Sequence, residues 1–195
     1  FEFLFLGSRR SWTQYLTQII CRTSLILLGI SLKIKGTPMA EQGAVVANHS
    51  SWLDIFALNA TQKIYFVAKS EVAGWPGIGW LARATGTVFI QRKTAQAHRH
   101  KSLFTSRLLA GHKLLFFPEG TSTDSLRVLP FKSSLFAAFF EENMPINLFI
   151  QPVTVVYHAP SGTNPWFYGW WGEMSFGAHF VHTLASARQG WIELI

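Results

Sequence analysis

Gly43-Ala44-Val45-Val46-Ala47-Asn48-His49-Ser50-Ser51-Trp52-Leu53-Asp54-Ile55-Phe56-Ala57-Leu58 is the stretch from which the fold is read. Residues 43–47 are small or β-branched and wholly apolar, the pattern of a strand covered on both faces. Trp52–Leu58 reads as a helix, and a strand running straight into a helix is the repeating unit of an α/β domain. The turn between them carries Asn48, His49, Ser50 and Ser51. Ser51 suits the N-cap, which puts Asp54 at the third helical position, pointing back over the first turn towards His49. A carboxylate that holds one imidazole nitrogen leaves the other facing a substrate. An oriented, neutral imidazole is a general base near neutral pH, because free histidine titrates at about 6.5. Ser51-x-x-Asp54 is equally a capping box, which needs no catalysis.

Outward from this stretch the chain keeps alternating. Strands are expected at Leu32–Lys35, Ala44–Ala47, Ile64–Ala68, Val88–Gln91, Lys113–Phe117, Gln151–Tyr157 and Trp191–Leu194, with helices near 52–60, 76–84, 94–110 and 132–142. This predicts an α/β domain with a mostly parallel central sheet flanked by helices. Such sheets carry their sites beyond the carboxyl ends of the strands. Residues 12–32 form a further apolar helical segment, interrupted by Arg22-Thr23-Ser24. It lacks the roughly 18 or more uninterrupted apolar residues of a spanning helix. Two readings stand: an interfacial helix with Arg9 and Arg10 towards lipid headgroups, or a helix packed on the domain's own sheet. The Gly/Pro/Trp-rich stretch 160–173 reads as an irregular excursion, and a chain that ends in the strand-like Trp191–Ile195 reads as a fragment of something longer.

Composition points the same way. Hydrophobic residues make up 49% of the 195 positions, while only 14% are charged, against roughly 25% in ordinary soluble domains. Contact with lipid or an acyl chain accounts for this, as does a dense aromatic core. Lys and Arg number 17 against 10 Asp and Glu, a net charge of +7, which attracts anionic headgroups or phosphate-bearing co-substrates. No zinc-finger spacing, RNA-binding aromatic signature or long basic run supports nucleic acid as the partner. The single cysteine, Cys21, rules out a disulfide within the chain and suits a reducing compartment.

Three polar clusters follow expected strands. Gly86-Thr87-Val88-Phe89-Ile90-Gln91-Arg92 ends in a guanidinium placed to grip an anion in bidentate fashion. Phe116-Phe117-Pro118-Glu119-Gly120-Thr121-Ser122 ends its strand at a proline. Glu119 is then expected at the mouth, accepting from a substrate hydroxyl, with Gly120 letting a ligand approach the backbone. Thr121 and Ser122 add hydroxyl and N–H donors. Each cluster alone is also what a solvated strand end or a turn would show. Gln151-Pro152-Val153-Thr154-Val155-Val156-Tyr157, with no evident acid or base, reads as a central strand that shapes the pocket. Lys69, after the strand 64–68, is positioned to join Arg92. Gly77-Ile78-Gly79-Trp80-Leu81-Ala82 fits the dinucleotide pattern only formally, since no strand closely precedes it. His179 and His182 lack a third ligand and read as structural or surface histidines, so no metal site is expected.

Taken in order, Asn48-His49-(x)4-Asp54, Gly86-x-x-Phe89-Ile90-x-Arg92, Phe117-Pro118-Glu119-Gly120-Thr121 and the Gln151-Pro152-Val153 strand resemble the glycerolipid acyltransferase family, in particular its bacterial lysophosphatidate acyltransferases. The resemblance covers roughly residues 35–157. It implies a membrane-associating helical segment over 1–34 and an acyltransferase domain over 35–195. It also implies transfer of a fatty acyl group from acyl carrier protein or coenzyme A to the hydroxyl of a lysolipid, lysophosphatidate foremost. The thioester is then a co-substrate, no other cofactor is required, and the enzyme works on the cytoplasmic face of a membrane. His49 becomes the base and Asp54 its orienting partner. Arg92 and, more loosely, Lys69 bind the acceptor phosphate. Ser51, Trp52, Glu119, Gly120 and Thr121 complete the acceptor site. The run Phe131-Lys132-Ser133-Ser134 departs from the family's glycine-containing turn and is similar to lyso-ornithine lipid acyltransferases. That makes lyso-ornithine lipid the alternative acceptor, and a non-catalytic lipid-binding module the alternative of another class.

Overall fold

The structure, a computed structural model, describes residues 11–75, 78–90, 97–140, 144 and 147–195. Five strands form one fully parallel sheet. In chain order they are β2 (Gly43–Ala47), β3 (Tyr65–Lys69), β4 (Val88–Ile90), β5 (Lys113–Phe116) and β6 (Phe149–Val153), and in space the order is β4-β3-β5-β2-β6. Period-two alternation divides their side chains between two cores. Val45, Ala47, Phe66 and Leu115 face one side, with α1 (Ser11–Leu27) and α2 (Leu53–Thr61) over them. Ala44, Val46, Tyr65, Val67, Leu114 and Phe116 face the other, where Phe104 and Leu108 of α4 (Ala97–Leu109) pack. Every residue of β2 is buried, which is why its sequence has no polar alternation.

A second, three-stranded sheet stands beside the first. β1 (Ser31–Ile34) runs parallel to β8 (Trp191–Leu194), which runs antiparallel to β7 (Val155–His158). Here the expected strand 151–157 is corrected. It is two strands in two sheets, parted at Thr154, whose N–H and C=O exchange hydrogen bonds with Ile195 at 2.8 and 3.0 Å. Nor is Gln151-Pro152-Val153 central: among the described residues β6 is an edge strand paired only to β2, the position where a residue without an N–H leaves no ladder bond unmade.

Two helical expectations shift and one helix is unforeseen. The segment 12–32 is helical only to Leu27, because Gly29 turns left-handed at φ +71. The N–H of Gly29 then bonds to Ile26 and that of Ile30 to Leu25, both at 2.9 Å, a Schellman stop. The expected helix 132–142 is instead two short 3-10 turns, Ser133–Leu135 and Ala137–Phe140. Between α3 (Ile78–Ala84) and the chain end there is also a helix that the residue pattern did not suggest, α5 (Phe176–Ala185).

α1 packs on α2 through Cys21 and Leu25, with Gln14 and Thr17 also buried. Its outward face is apolar: Trp12, Leu16, Ile19 and Ile26 are 58–76% exposed, and Leu27 is 82% exposed. Among the described residues no helix is long and apolar enough to cross a membrane.

Candidate active site

The parallel strands deliver the polar clusters to one edge. β2 and β5 are neighbours with Val46 opposite Phe116, so the loops beginning at Asn48 and Phe117 leave the sheet side by side. The His49 imidazole accordingly stacks on Phe117, centroids 4.0 Å apart and planes at 8°. Lys69, partly exposed, closes β3 opposite Ile90 of β4. Arg92, expected to meet the acceptor's anionic group, lies outside the described residues, as does Lys93.

His49 Nδ1 lies 2.7 Å from Asp54 Oδ2. A carboxylate accepts and does not donate, so Nδ1 carries the ring proton and the Nε2 lone pair is left for substrate. The His49 side chain keeps 19% of its surface and Asp54 none. Asp54 Oδ2 also accepts the backbone N–H groups of Ser50 at 2.8 Å and Ser51 at 3.0 Å. Its other oxygen, Oδ1, accepts the phenol of Tyr157 at 2.5 Å. The carboxylate thus ties down the turn before the helix and holds the imidazole at once. The helix begins one residue later than expected, with Trp52 at the N-cap and Ser51 before it; Ser51 Oγ accepts the Leu53 N–H at 3.3 Å.

The backbone of His49 is held from both sides. Its N–H donates to Glu119 Oε1 at 2.7 Å, and its C=O accepts the Thr123 N–H at 2.9 Å. Glu119 Oε2 accepts the Leu129 N–H at 2.7 Å, and the residue is only 2% exposed. Glu119 therefore braces the His49 loop against the 119–129 loop rather than standing at a mouth. Gly120 sits at φ +71 in the turn closed by its N–H to Phe117 O. A Cβ there would come within 2.8 Å of Lys132 Nζ, so the glycine lets the lysine ammonium lie against the turn. Thr121 is exposed beside it. Ser51 and Trp52 are buried, at 0% and 6%. The Trp52 indole N–H donates to His179 Nδ1 at 3.0 Å among Phe56, Phe176 and Phe180. The side chains of Ser51 and Trp52 are thus both buried beside the turn that carries His49. His179 is structural: burial lowers its affinity for a proton below that of ordinary histidine.

Four contributors went unnamed in the residue pattern: Tyr157, Thr123, Lys132 and the side chain of Asn48. Asn48 Oδ1 accepts the Val155 N–H at 2.7 Å, and its Nδ2 donates to Val155 O at 3.0 Å. The amide thus stands in for a strand partner and locks β7 beside the His49 loop. A polar residue next to a catalytic candidate is the only signal that the sequence offers for it. Among the described residues no group of three or more His, Cys, Asp or Glu is placed to hold a metal ion.

A solvent-reachable imidazole backed by a buried carboxylate, at the edge of parallel strands, has the chemistry to take a proton from a hydroxyl. Residues 32–156 match the Acyltransferase family. The chain belongs to that family. It is 54% identical over 189 residues to the lyso-ornithine lipid O-acyltransferase of Rhodobacter capsulatus, spanning 97% of this chain and 68% of that protein. It is 38% identical over 117 residues to a 1-acyl-sn-glycerol-3-phosphate acyltransferase of Neisseria gonorrhoeae, spanning 58% of this chain and 46% of that protein. In fold it is similar to the 1-acyl-sn-glycerophosphate acyltransferase of Thermotoga maritima, with a TM-score of 0.64 at 21% identity over 98% of this chain and 71% of that one. The family membership makes this chain an acyltransferase of the lysolipid type.

Proposed function

We propose that this acyltransferase esterifies the free hydroxyl of lyso-ornithine lipid, using a fatty acyl thioester of acyl carrier protein or coenzyme A. The observation that carries the chemistry is the His49–Asp54 pair, Nδ1 and Oδ2 2.7 Å apart, on an imidazole that keeps part of its surface exposed. Nε2 takes the hydroxyl proton as the oxygen attacks the thioester carbonyl. The tetrahedral adduct collapses to an ester, the C–S bond breaks, and the thiolate leaves with the proton returned from His49. No acyl-enzyme and no cofactor beyond the thioester enter this scheme. A positioned base supplies about 10²–10⁴-fold, and alignment of the two substrates supplies more.

The acceptor rests on likeness: 54% identity with a lyso-ornithine lipid O-acyltransferase supports it over lysophosphatidate, the first expectation. Lysophosphatidate remains the second reading, supported by the Neisseria relative. Arg92, Lys69, Gly120 and Thr121 are the groups assigned to the acceptor, where the cations meet a carboxylate in one case and a phosphate in the other. The outward apolar face of α1, with residues 1–34 as a whole, is assigned to the lipid surface, and the enzyme to the cytoplasmic side.

The test is acyl transfer by the full-length enzyme, with both thioesters and both acceptors in parallel and His49→Ala as control. Transfer to lyso-ornithine lipid that His49→Ala abolishes is the expected result. Transfer confined to lysophosphatidate selects the second reading, and transfer unaffected by His49→Ala removes the base. Washing membranes with salt and alkali checks location, which a protein recovered only in the soluble fraction would contradict.

A further inference from the structure

The carboxylate of Asp54 is not held by the loop it shares with His49 alone. Its Oδ1 points away from the imidazole, into the seam between the two sheets, where the phenol of Tyr157 meets it at 2.5 Å. Tyr157 is 103 positions away along the chain and is brought there by β7, a strand of the smaller sheet. Its height is set by the Asn48 amide, which takes both backbone groups of Val155. Val155 and Tyr157 point to the same face of β7 and enter the same core. The residue that precedes His49 in sequence thus aligns the strand that presents Tyr157 to the partner of His49.

Towards Asp54 the direction of the hydrogen bond is fixed. A carboxylate only accepts, so the tyrosine donates. Burial and the neighbouring charge of Asp54 both push its pKa well above that of free tyrosine, so the donor persists through the working pH range. The nearest other phenol, Tyr168, packs 5.5 Å away, but its oxygen is engaged by Gly190 N–H at 2.7 Å and Gln189 Oε1 at 2.9 Å. Without the Tyr157 hydroxyl, a buried carboxylate oxygen loses the only side-chain donor given to it among the described residues.

We propose that Tyr157 is a positioning residue of the catalytic base. Its hydroxyl pins Oδ1 of Asp54, fixes the carboxylate so that Oδ2 stays in line with His49 Nδ1, and draws off part of the negative charge that the imidazole senses. The inference rests on His49 acting as the base. Among the described residues, the titratable groups facing the pair are Tyr157 from β7, Tyr168 behind it and Glu119 on the His49 N–H, while His179 connects to it through Trp52. Removing the phenol concentrates charge on Asp54 and favours the protonated imidazole, so the base form then requires a higher pH. Strengthening the donor does the reverse.

The experiment compares the full-length wild type with Tyr157→Phe and with a chain carrying 3-fluorotyrosine at position 157, a more acidic phenol of nearly equal volume. Each is read as kcat, acceptor KM and the pH profile of kcat/KM, with His49→Ala alongside. For Tyr157→Phe the expected result is a kcat lower by on the order of tenfold, a fraction of what a positioned base supplies. The acceptor KM stays unchanged, and the acid limb moves to higher pH. With 3-fluorotyrosine the acid limb moves to lower pH. Opposite shifts from two ring-preserving changes are not produced by packing alone. If both profiles superpose on the wild type while His49→Ala is inactive, the proposal is overturned and the base stands. If His49→Ala transfers normally, the base falls and the proposal with it. Should Tyr157→Phe lose its native near-ultraviolet signal, the fluorotyrosine arm decides: a downward shift supports the proposal and no shift overturns it.

Discussion

Glu119→Gln separates a brace from a substrate contact. The side chain is 2% exposed, and each of its oxygens takes one backbone N–H at 2.7 Å, from His49 and from Leu129. Glutamine keeps the shape but has one acceptor oxygen. Its NH2 must then face a backbone N–H, so one hydrogen bond to a carboxylate is lost and a buried donor is left unmatched. Such a bond contributes about 1.5–3 kcal/mol. In a chain of this size each kcal/mol moves the melting temperature by roughly 2–4 °C, so Tm falls by about 3–12 °C. The His49 backbone loosens with it, and kcat drops while acceptor KM changes little, because the carboxylate does not reach the acceptor. The measurement pairs a thermal melt in detergent with kcat and KM for the acceptor. A variant that melts with the wild type and only raises acceptor KM would refute the brace and return Glu119 to the mouth of the site.

Two further outcomes follow from buried titratable groups. His179 has a lowered proton affinity because it is desolvated beneath Trp52, so the folded chain binds fewer protons there than the unfolded one. Stability is then full above about pH 6.5, the unfolded value, and declines as the pH falls below it. His179→Asn, whose carbonyl oxygen takes the place of Nδ1 towards Trp52, should flatten that decline in melts from pH 7.5 to 5; an unchanged slope contradicts the argument. Cys21 is 5% exposed and burial pushes its thiol up to about 12. Iodoacetamide at pH 8 should leave the folded chain unlabelled and modify it once on unfolding, and rapid labelling of the native protein would show that α1 does not pack as described.

What was legible in the sequence was local. His49 and Asp54 are within one turn of each other, so spacing alone placed their side chains together, and the apolar run 43–47 announced a strand covered on both faces. Strand ends at Lys69 and Phe116 came within a residue of their readings for the same reason. What depended on distant partners was not legible. Residues 151–157 are uniformly β-prone, and nothing in their order says that Thr154 bonds to Ile195 and divides them between sheets. Glu119 after a strand-ending proline looks the same whether it faces solvent or a backbone N–H 70 positions earlier. Trp52 drew its partner from α5, a helix hidden behind Gly177 and an irregular approach. The aromatic run 133–140 carried enough apolar residues for a helix, yet it folds as two tight turns against Phe116.

The smaller sheet also orders the assembly of the molecule in time. It joins residue 31 to residue 191, the most distant strand pairing among the described residues, and residue 158 to the same strand. Pairings that close long loops form slowly, because the loop's entropy is lost before the contact returns anything. The base loop, its carboxylate and four of the five parallel strands are encoded before residue 120, whereas β7 has, among the described residues, only β8 as a partner within its sheet. A nascent chain on the ribosome therefore holds the outline of its reactive centre well before it holds the strand that steadies it. Completion of β8 is the step after which that centre is no longer provisional.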